Sequence, residues 1–393
     1  MPKRGAQGNG TIRQRPDGRW EARYVTGYHP GTGKQIRKSV YGDTQKEVRQ
    51  RLNAIVKGLD EGTYKEPSKL TLGQWLDIWQ KDYLSNLKAS SLFSYQEHIR
   101  LRLQPALGAV NLEQLNTHTI QGFYNDLGKP KPDGHGLSPK TIKDIHGILH
   151  KALAQTVAIG YLRTNPSTAC TLPRIEKPKI NTFDDTQLKA FLHTIQNHRH
   201  ETLYRLALFT GMRESELLGL MWDCVDFTNG TLLIDKQLQR ERKKGGQYYF
   251  SSPKNGKSRT ITPPNFIMQE LKKHRAEQAE KQLAAGADWE RKCLVFCNDT
   301  GSYLSYRTVY DCYKRIVAQL GCPELRFHDM RHTYAVTALR AGINVKVVQE
   351  TLGHFSAAFT LDIYAAATEE MQRESADKLE SFYDKLNTSK GSN

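Results

Sequence analysis

Arg326-Phe327-His328-Asp329-Met330-Arg331-His332-Thr333 opens a stretch that runs through Leu352-Gly353-His354 and closes on Thr360-Leu361-Asp362-Ile363-Tyr364. His328 and Arg331 are three residues apart, which puts both on one face of a helix. His354 follows, and Tyr364 stands ten residues beyond it. Two upstream groups complete an ordered set: Arg213 in Thr210-Gly211-Met212-Arg213-Glu214-Ser215-Glu216, and Lys254 in Ser252-Pro253-Lys254-Asn255. Taken singly, each has a plain structural reading. A His-x-x-Arg pair is commonly a surface or interdomain pair, Arg213 a helix-start charge on a solvated face, and Tyr364 a core or interface aromatic. His328, His332 and His354 as a metal set match no common zinc spacing, and no Cys lies nearby. Order, flanking residues and spacing taken together favour a chemical site.

Suppose the reaction is attack on a DNA phosphodiester; these residue types then have a reason to belong together. Its transition state spreads negative charge over the non-bridging oxygens, and fixed cations stabilise that charge. Arginine grips phosphate oxygens bidentately and stays charged at any working pH, so Arg213 and Arg331 read as two clamps. His328 and His354 can donate to the same oxygens and share proton transfer. Lys254 can protonate a leaving 5′ oxygen from a mobile hairpin. The Tyr364 phenol, with an unperturbed pKa of ~10, needs a cationic pocket or a base to act as nucleophile. Attack would give a 3′-phosphotyrosyl link and a free 5′ hydroxyl, conserving the bond energy so that a strand is rejoined without ATP. Glu216, three residues after Arg213, can hold that guanidinium in place. The sequence has no cluster of paired Asp and Glu resembling a two-metal nuclease site, and no Gly-x-x-x-x-Gly-Lys-Ser/Thr loop. The expectation is phosphoryl transfer with no metal and no cofactor.

This ordered set of Arg, Lys, His-x-x-Arg, His and Tyr resembles the active site of the tyrosine recombinases, within them the integrases of phages and conjugative transposons. The resemblance extends over most of the chain. Lys257 competes with Lys254, but the Pro253-Lys254 context resembles the family more closely. One departure stands out: many family members have nine residues from His to Tyr, and the ten here are similar to the conjugative-transposon group. The resemblance implies a site-specific recombinase that integrates and excises a mobile element. It also implies double-stranded attachment sites, a homo-tetramer on DNA that is monomeric when free, a small excisionase and a host DNA-bending protein. The rival classes are a non-catalytic sequence-specific DNA-binding regulator with the same fold, and a relaxing topoisomerase.

Composition agrees with a nucleic-acid partner. The 393-residue chain carries 57 Lys and Arg against 41 Asp and Glu, a formal net charge of +16. No apolar run is long enough for a membrane span, and Met1-Pro2-Lys3-Arg4 does not open a signal peptide. Six scattered Cys read as reduced thiols, with Cys293-x-x-x-Cys297 only a weak metal hint. The expected location is the cytoplasm of a bacterial cell, on DNA.

The expected fold is multidomain α+β. Residues 1–66 hold fourteen Lys and Arg against seven Asp and Glu. The Pro16-Asp17-Gly18 turn, alternation from Trp20 to Val25 and from Gln35 to Tyr41, and a capping box at Thr44-Gln45-Lys46-Glu47 predict a three-stranded sheet plus a helix. This unit looks like the arm-type DNA-binding domain of larger integrases; a generic basic unit binding phosphate or RNA is the alternative. Arg15, Arg23, Arg37 and Lys38 are its candidate DNA contacts. A linker covers 60–69, and residues 69–172 form a four-helix core-binding domain. Its helices start at the Thr71-Leu72-Gly73-Gln74 capping box, run over Tyr95, Ile99 and Leu103 and stop before Pro105, span Ile120 to Leu127, and start again at Ser138-Pro139. Arg100, Lys140 and Lys143 are candidate contacts there, although a solvated face explains any one of them equally well. The strap at 171–181 places Lys177 and Lys179 along a DNA backbone. Residues 178–393 form a mainly α catalytic domain with a small antiparallel sheet from 231–234, 247–250 and 258–262, with Lys254 on the turn between the last two. Met371, Leu379, Phe382 and Leu386 mark an amphipathic last helix that docks either on its own subunit or on a neighbour.

Overall fold

The computed structural model describes residues 10–29, 31–60, 70–130, 134–176, 180–241 and 245–353, and in the tail residues 376, 379, 380 and 383. The chain forms two compact units, Met1–Glu176 and Lys177–Asn393. Among the described residues no helix is long and apolar enough to cross a membrane.

The first unit holds two separate hydrophobic cores. In the smaller, β1 (Thr11–Gln14), β2 (Trp20–Tyr28) and β3 (Gln35–Gly42) form an antiparallel sheet in that order. Helix α1 (Gln45–Asp60) packs on it through Val48 and Leu52 against Ala22 and Tyr24. Strand alternation sends Glu21 and Arg23 to the opposite face, where Arg13 pairs across to Glu21 and Arg37 to Val25. The Ser39 hydroxyl and Arg13 hold the Glu21 carboxyl down at about 2. Arg23 also pairs with Glu21 at 3.1 Å, and Arg15 lies over the Tyr41 ring. Lys38 pairs with Tyr24 and therefore shares the helix-side face. The open face thus carries Arg23 and Arg37 but not Lys38.

The larger core belongs to helices α2 (Leu72–Asp82), α3 (Ala89–His98), α4 (Gln104–Leu107), α5 (Thr117–Gly128) and α6 (Pro139–Ala158). The Thr71 capping box and the Ser138 N-cap followed by Pro139 form as their sequences predict. Leu76, Ile99, Leu103, Ile120, Ile145 and Leu149 are buried together, and the Trp75 indole donates to the Ala152 carbonyl at 3.0 Å. One expectation fails here. The helix over Tyr95 does not stop before Pro105. It passes through a π-helical stretch, Ile99–Leu103, and continues into α4. Proline has no N–H and its ring crowds the preceding turn, and the wider π turn accommodates both defects without breaking the helix. Arg100, Lys140 and Lys143 are exposed; Arg100 pairs with Glu97 and Lys140 with Asp144.

In the second unit α7 (Asp185–Thr194), α8 (Glu201–Thr210) and the short α9 (Glu214–Leu218) precede five strands. The strands are β4 (Val225–Asp226), β5 (Thr231–Ile234), β6 (Gln237–Arg240), β7 (Tyr248–Ser251) and β8 (Arg259–Ile261). They form not one sheet but two: β4-β5-β8, and the hairpin β6-β7. Gln237-Leu238-Gln239-Arg240 lacks β-branched residues and does not read as a strand, yet pairing with β7 makes it one. Helices α10 (Asn265–Ala285), α11 (Tyr306–Gln319), α12 (Asp329–Arg340) and α13 (Val345–Leu352) complete the described part. The main core joins Leu203, Tyr204 and Leu206 of α8 to Tyr313 of α11, and to Phe327 and Met330 at the start of α12. Leu379 and Tyr383 are helical and exposed, whereas Met371, Phe382 and Leu386 lie outside the described residues.

Candidate active site

The site is built around the end of α13. A helix leaves its last carbonyls without intrahelical partners, and its C-terminal dipole attracts cations. Here arginines take those carbonyls. Arg259 donates to the Thr351 carbonyl at 2.8 Å, Arg331 to the Leu352 carbonyl at 2.6 Å, and Arg213 to the Gly353 carbonyl at 3.4 Å. Asn255, on the turn that carries Lys254, also donates to the Gly353 carbonyl, at 2.8 Å. The three residues just before His354 are therefore where the three guanidiniums and the lysine turn gather.

Two glycines make the approach possible. Gly211 ends α8 with φ +62, and a Cβ there would lie 2.5 Å from Leu352 Cδ2 and 2.6 Å from Tyr334 Cδ1. Its carbonyl receives the second donor of Arg331, at 2.6 Å. Gly353 ends α13 with φ +63, and a Cβ there would press on the Arg259 side chain at 3.2 Å.

Glu216 is the counter-charge. It is 1% exposed, accepts from Arg213 Nη1 at 2.8 Å, and takes Arg259 bidentately at 3.0 and 2.7 Å. It also reaches back to the Arg213 backbone N–H at 3.0 Å, closing the start of α9. Burial alone would raise its pKa. The hydrogen bond and charge of Arg259, and then the charge of Arg213, outweigh burial and bring it to about 2. Because the folded pKa lies below the unfolded one, Glu216 stabilises the fold above pH ~4.5, and this contribution disappears as pH falls towards about 2. Denaturant unfolding at pH 6 and at pH 3 is the check. Wild type should lose stability across that range, with about 2 kcal/mol as the ceiling from this group. Glu216→Gln should be weaker at pH 6 and show a shallower acid slope.

Arg331 is 4% exposed, and burial followed by the charge of Arg213 pulls it down to about 9, still cationic at neutral pH. The Asp329 carboxylate accepts from the Arg326 N–H at 2.8 Å and its guanidinium at 2.9 Å, fixing the first turn of α12 that carries Arg331. His328 stands at the N-cap position of α12 without a side-chain capping bond, is exposed, and joins Arg213 in lining a cleft of about 490 Å³. Desolvation first, then His332 and Arg331, lower its pKa, so the imidazole is neutral at pH 7. The His328 and His332 rings meet edge to face, their centres 5.0 Å apart. Lys254 is exposed on the turn after β7, where the Gly256 N–H bonds the Pro253 carbonyl at 2.8 Å.

Of the residues the sequence singles out, Arg213, Glu216, Arg331 and the turn of Lys254 are brought together, with His328 on the adjoining cleft. His354, Tyr364, Lys177 and Lys179 lie outside the described residues. Arg259 was missed. A lone charged residue in the short strand Ser258-Arg259-Thr260-Ile261-Thr262 is a weak signal, and only the fold reveals its two-pronged grip on Glu216.

Comparison with known proteins bears directly on this site. Residues 181–371 match the phage integrase family, and residues 71–128 match the N-terminal SAM-like domain of phage integrases. A tyrosine recombinase XerC-like protein of Caldanaerobacter subterraneus subsp. tengcongensis is 30% identical over 369 residues, covering 89% of this chain and 93% of that protein. The ICEBs1 integrase of Bacillus subtilis is 22% identical, covering 94% and 99%. Among solved structures, the Tn1549 transposon integrase in complex with transposon right end DNA superposes with a TM-score of 0.66 at 22% identity, over 79% of this chain and 99% of that one. A lambda integrase dimer bound to a COC′ core site gives a TM-score of 0.52 at 19% identity, over 92% and 96%. The chain belongs to the phage integrase family of tyrosine recombinases and is a site-specific recombinase.

Proposed function

We propose that the protein integrates and excises a mobile element by cutting and rejoining DNA strands through a 3′-phosphotyrosyl intermediate on Tyr364. The observation that carries this reading is that Arg259, Arg331, Arg213 and the Lys254 turn together take the three carbonyls at the end of α13, those of Thr351, Leu352 and Gly353, just before His354. Such an array concentrates positive charge where a scissile phosphate would sit. The Tyr364 oxygen attacks phosphorus and gives up its proton, with His328 and His354 assigned as acceptors and donors. The bond from phosphorus to the 5′ oxygen breaks, and Lys254 supplies the proton to that oxygen. Arg213 and Arg331 hold the non-bridging oxygens, and Glu216 with Arg259 holds Arg213 in position. Reversing the same steps with a new 5′ hydroxyl seals the recombinant strand.

The division of labour follows three segments. Residues 1–66 bind arm sites through Arg15, Arg23 and Arg37 on the sheet, with Lys38 on the helix side. Residues 69–172 bind core sites with Arg100, Lys140 and Lys143, the strap adds Lys177 and Lys179, and residues 178–393 do the chemistry. The protein is a monomer when free and a tetramer on its attachment sites, in the bacterial cytoplasm, with a small excisionase and a host DNA-bending protein setting direction. The small N-terminal core shares no residue with the helical core that follows, which supports a detachable module. Deleting residues 1–66 is expected to leave cleavage of an isolated core site within about threefold of wild type and to abolish recombination between full attachment sites. Footprinting of the isolated N-terminal fragment tests the same point: protection confined to the core sequence is the result that contradicts it. A nicked suicide duplex tests the whole reading. Covalent adducts at one sequence support it, adducts without sequence preference indicate a topoisomerase, and binding without adduct indicates a regulator.

A further inference from the structure

Glu214 and Glu216 sit two residues apart on α9 and face opposite surroundings. Glu216 takes Arg213 and Arg259. Glu214 takes neither: among the described residues no cation pairs with it, and its Oε1 is buried without a hydrogen-bond partner. It is half-buried in the wall of the same 490 Å³ cleft that Arg213 and His328 line, beside Leu218 and Leu238. An ionised carboxylate in that position would be desolvated and unpaired. Two acids on one short helix with environments this different have different protonation states and different roles.

We propose that Glu214 is a DNA-contacting residue of the cleavage site that works only un-ionised, offering its carboxyl proton to a backbone oxygen of the strand entering the cleft beside Arg213. A protonated carboxyl has an O–H donor, and a bond from it to a phosphate oxygen is charge-assisted. The ionised form is acceptor-only and repels the same oxygen. The inference rests on the recombinase reading of this cleft.

The charged and titratable groups around Glu214 come from each element against it. Arg213 and Glu216 share α9 and are engaged with each other. Tyr306, Arg307 and Tyr310 stand on α11, where Arg307 pairs with Asp311. Arg240 and Tyr248 stand on the β6-β7 hairpin, the guanidinium over the ring, and His328 stands at the N-cap position of α12 in its neutral form. Tyr204 of α8 is fully buried and stays protonated, its hydroxyl donating to the Val309 carbonyl. None of these neutralises Glu214, and burial raises it to about 8. The working form is then present at neutral pH and decreases about tenfold per pH unit on the alkaline side.

The test measures adduct formation by the full chain from pH 6.5 to 9.5, on a nicked duplex carrying the core site recovered from DNA flanking the gene. Wild type should lose about 25-fold between pH 7.5 and 9.5 through this group. E214Q keeps a donor that never ionises, so it should show only the alkaline loss that other groups such as Arg331 cause, a loss about 25-fold smaller than that of wild type. E214L fills the space without a donor and should cleave at least tenfold more slowly than wild type at pH 7, with its thermal midpoint confirming a folded protein. In the free protein, a carboxyl-¹³C glutamate resonance absent from E214Q should titrate well above the usual carboxylate range. A Glu214 that titrates near its ordinary value, an alkaline limb identical in wild type and E214Q, or E214L cleaving like wild type overturns the proposal. A wild type that forms no adduct at any pH overturns the recombinase reading itself, and the DNA contact with it.

Discussion

Tyr364→Phe is expected to bind its core site with an affinity within about twofold of wild type and to form no covalent adduct, at least a thousandfold loss of cleavage. The substitution removes one oxygen. Phenylalanine keeps the aromatic ring, and the cationic array at the end of α13 still attracts phosphate. The wild-type adduct should join the protein to a DNA 3′ phosphate, leaving that end blocked to extension while the 5′ end stays free. Excess chelator should leave cleavage unchanged, because the proposed chemistry draws its positive charge from arginine and lysine. Peptide mapping of the trapped adduct is decisive. A DNA-linked peptide containing Tyr383, Tyr334 or a serine would displace Tyr364 from the mechanism, and cleavage abolished by EDTA would displace the mechanism.

Arg213→Ala and Arg331→Ala should each lower cleavage by about 100- to 1000-fold, with far smaller effects on DNA binding, to which many other cations contribute. The structure separates the two by their effect on stability. Removing Arg213 leaves Glu216 still held by Arg259 through two hydrogen bonds, so the fold should lose about 1 kcal/mol or less. Removing Arg331 strips the Gly211 and Leu352 carbonyls of a shared buried donor, and about 2–4 kcal/mol should go with it. Urea unfolding beside single-turnover cleavage reads both quantities. Cleavage within tenfold of wild type for either variant would sink the two-clamp assignment, and equal destabilisation by the two would contradict the roles drawn from their contacts.

Much of this molecule is local chemistry and was therefore readable in advance. Thr71 with Gln74, Ser138 before Pro139 and the glycine after Thr210 start or stop helices through contacts within a few residues, and they do so here as their spacing predicts. The ordered run from Arg213 through Lys254 to His328 and Arg331 was legible for the same reason: residue type and order survive without coordinates. Pro105 shows where local reasoning runs out. A proline ends a helix unless packing sustains it, and buried Ile99, Leu103 and Leu107 on either side hold a π turn in place of a break.

What only the tertiary structure decided is which charges meet. Glu214 and Glu216 are the same side chain two positions apart, and nothing local tells them apart. Glu216 meets Arg259 from 43 residues away, whereas Glu214 lines the cleft and keeps one oxygen buried without a partner. Arg331 reads in sequence as a phosphate clamp, yet the fold also makes it a tie between the ends of α8 and α13. Strand β6 exists because β7 lies beside it, not because its residues favour extension. The reason is the same in each case. Capping and periodicity depend on neighbours along the chain, while desolvation, ion pairing and sheet pairing depend on neighbours across it.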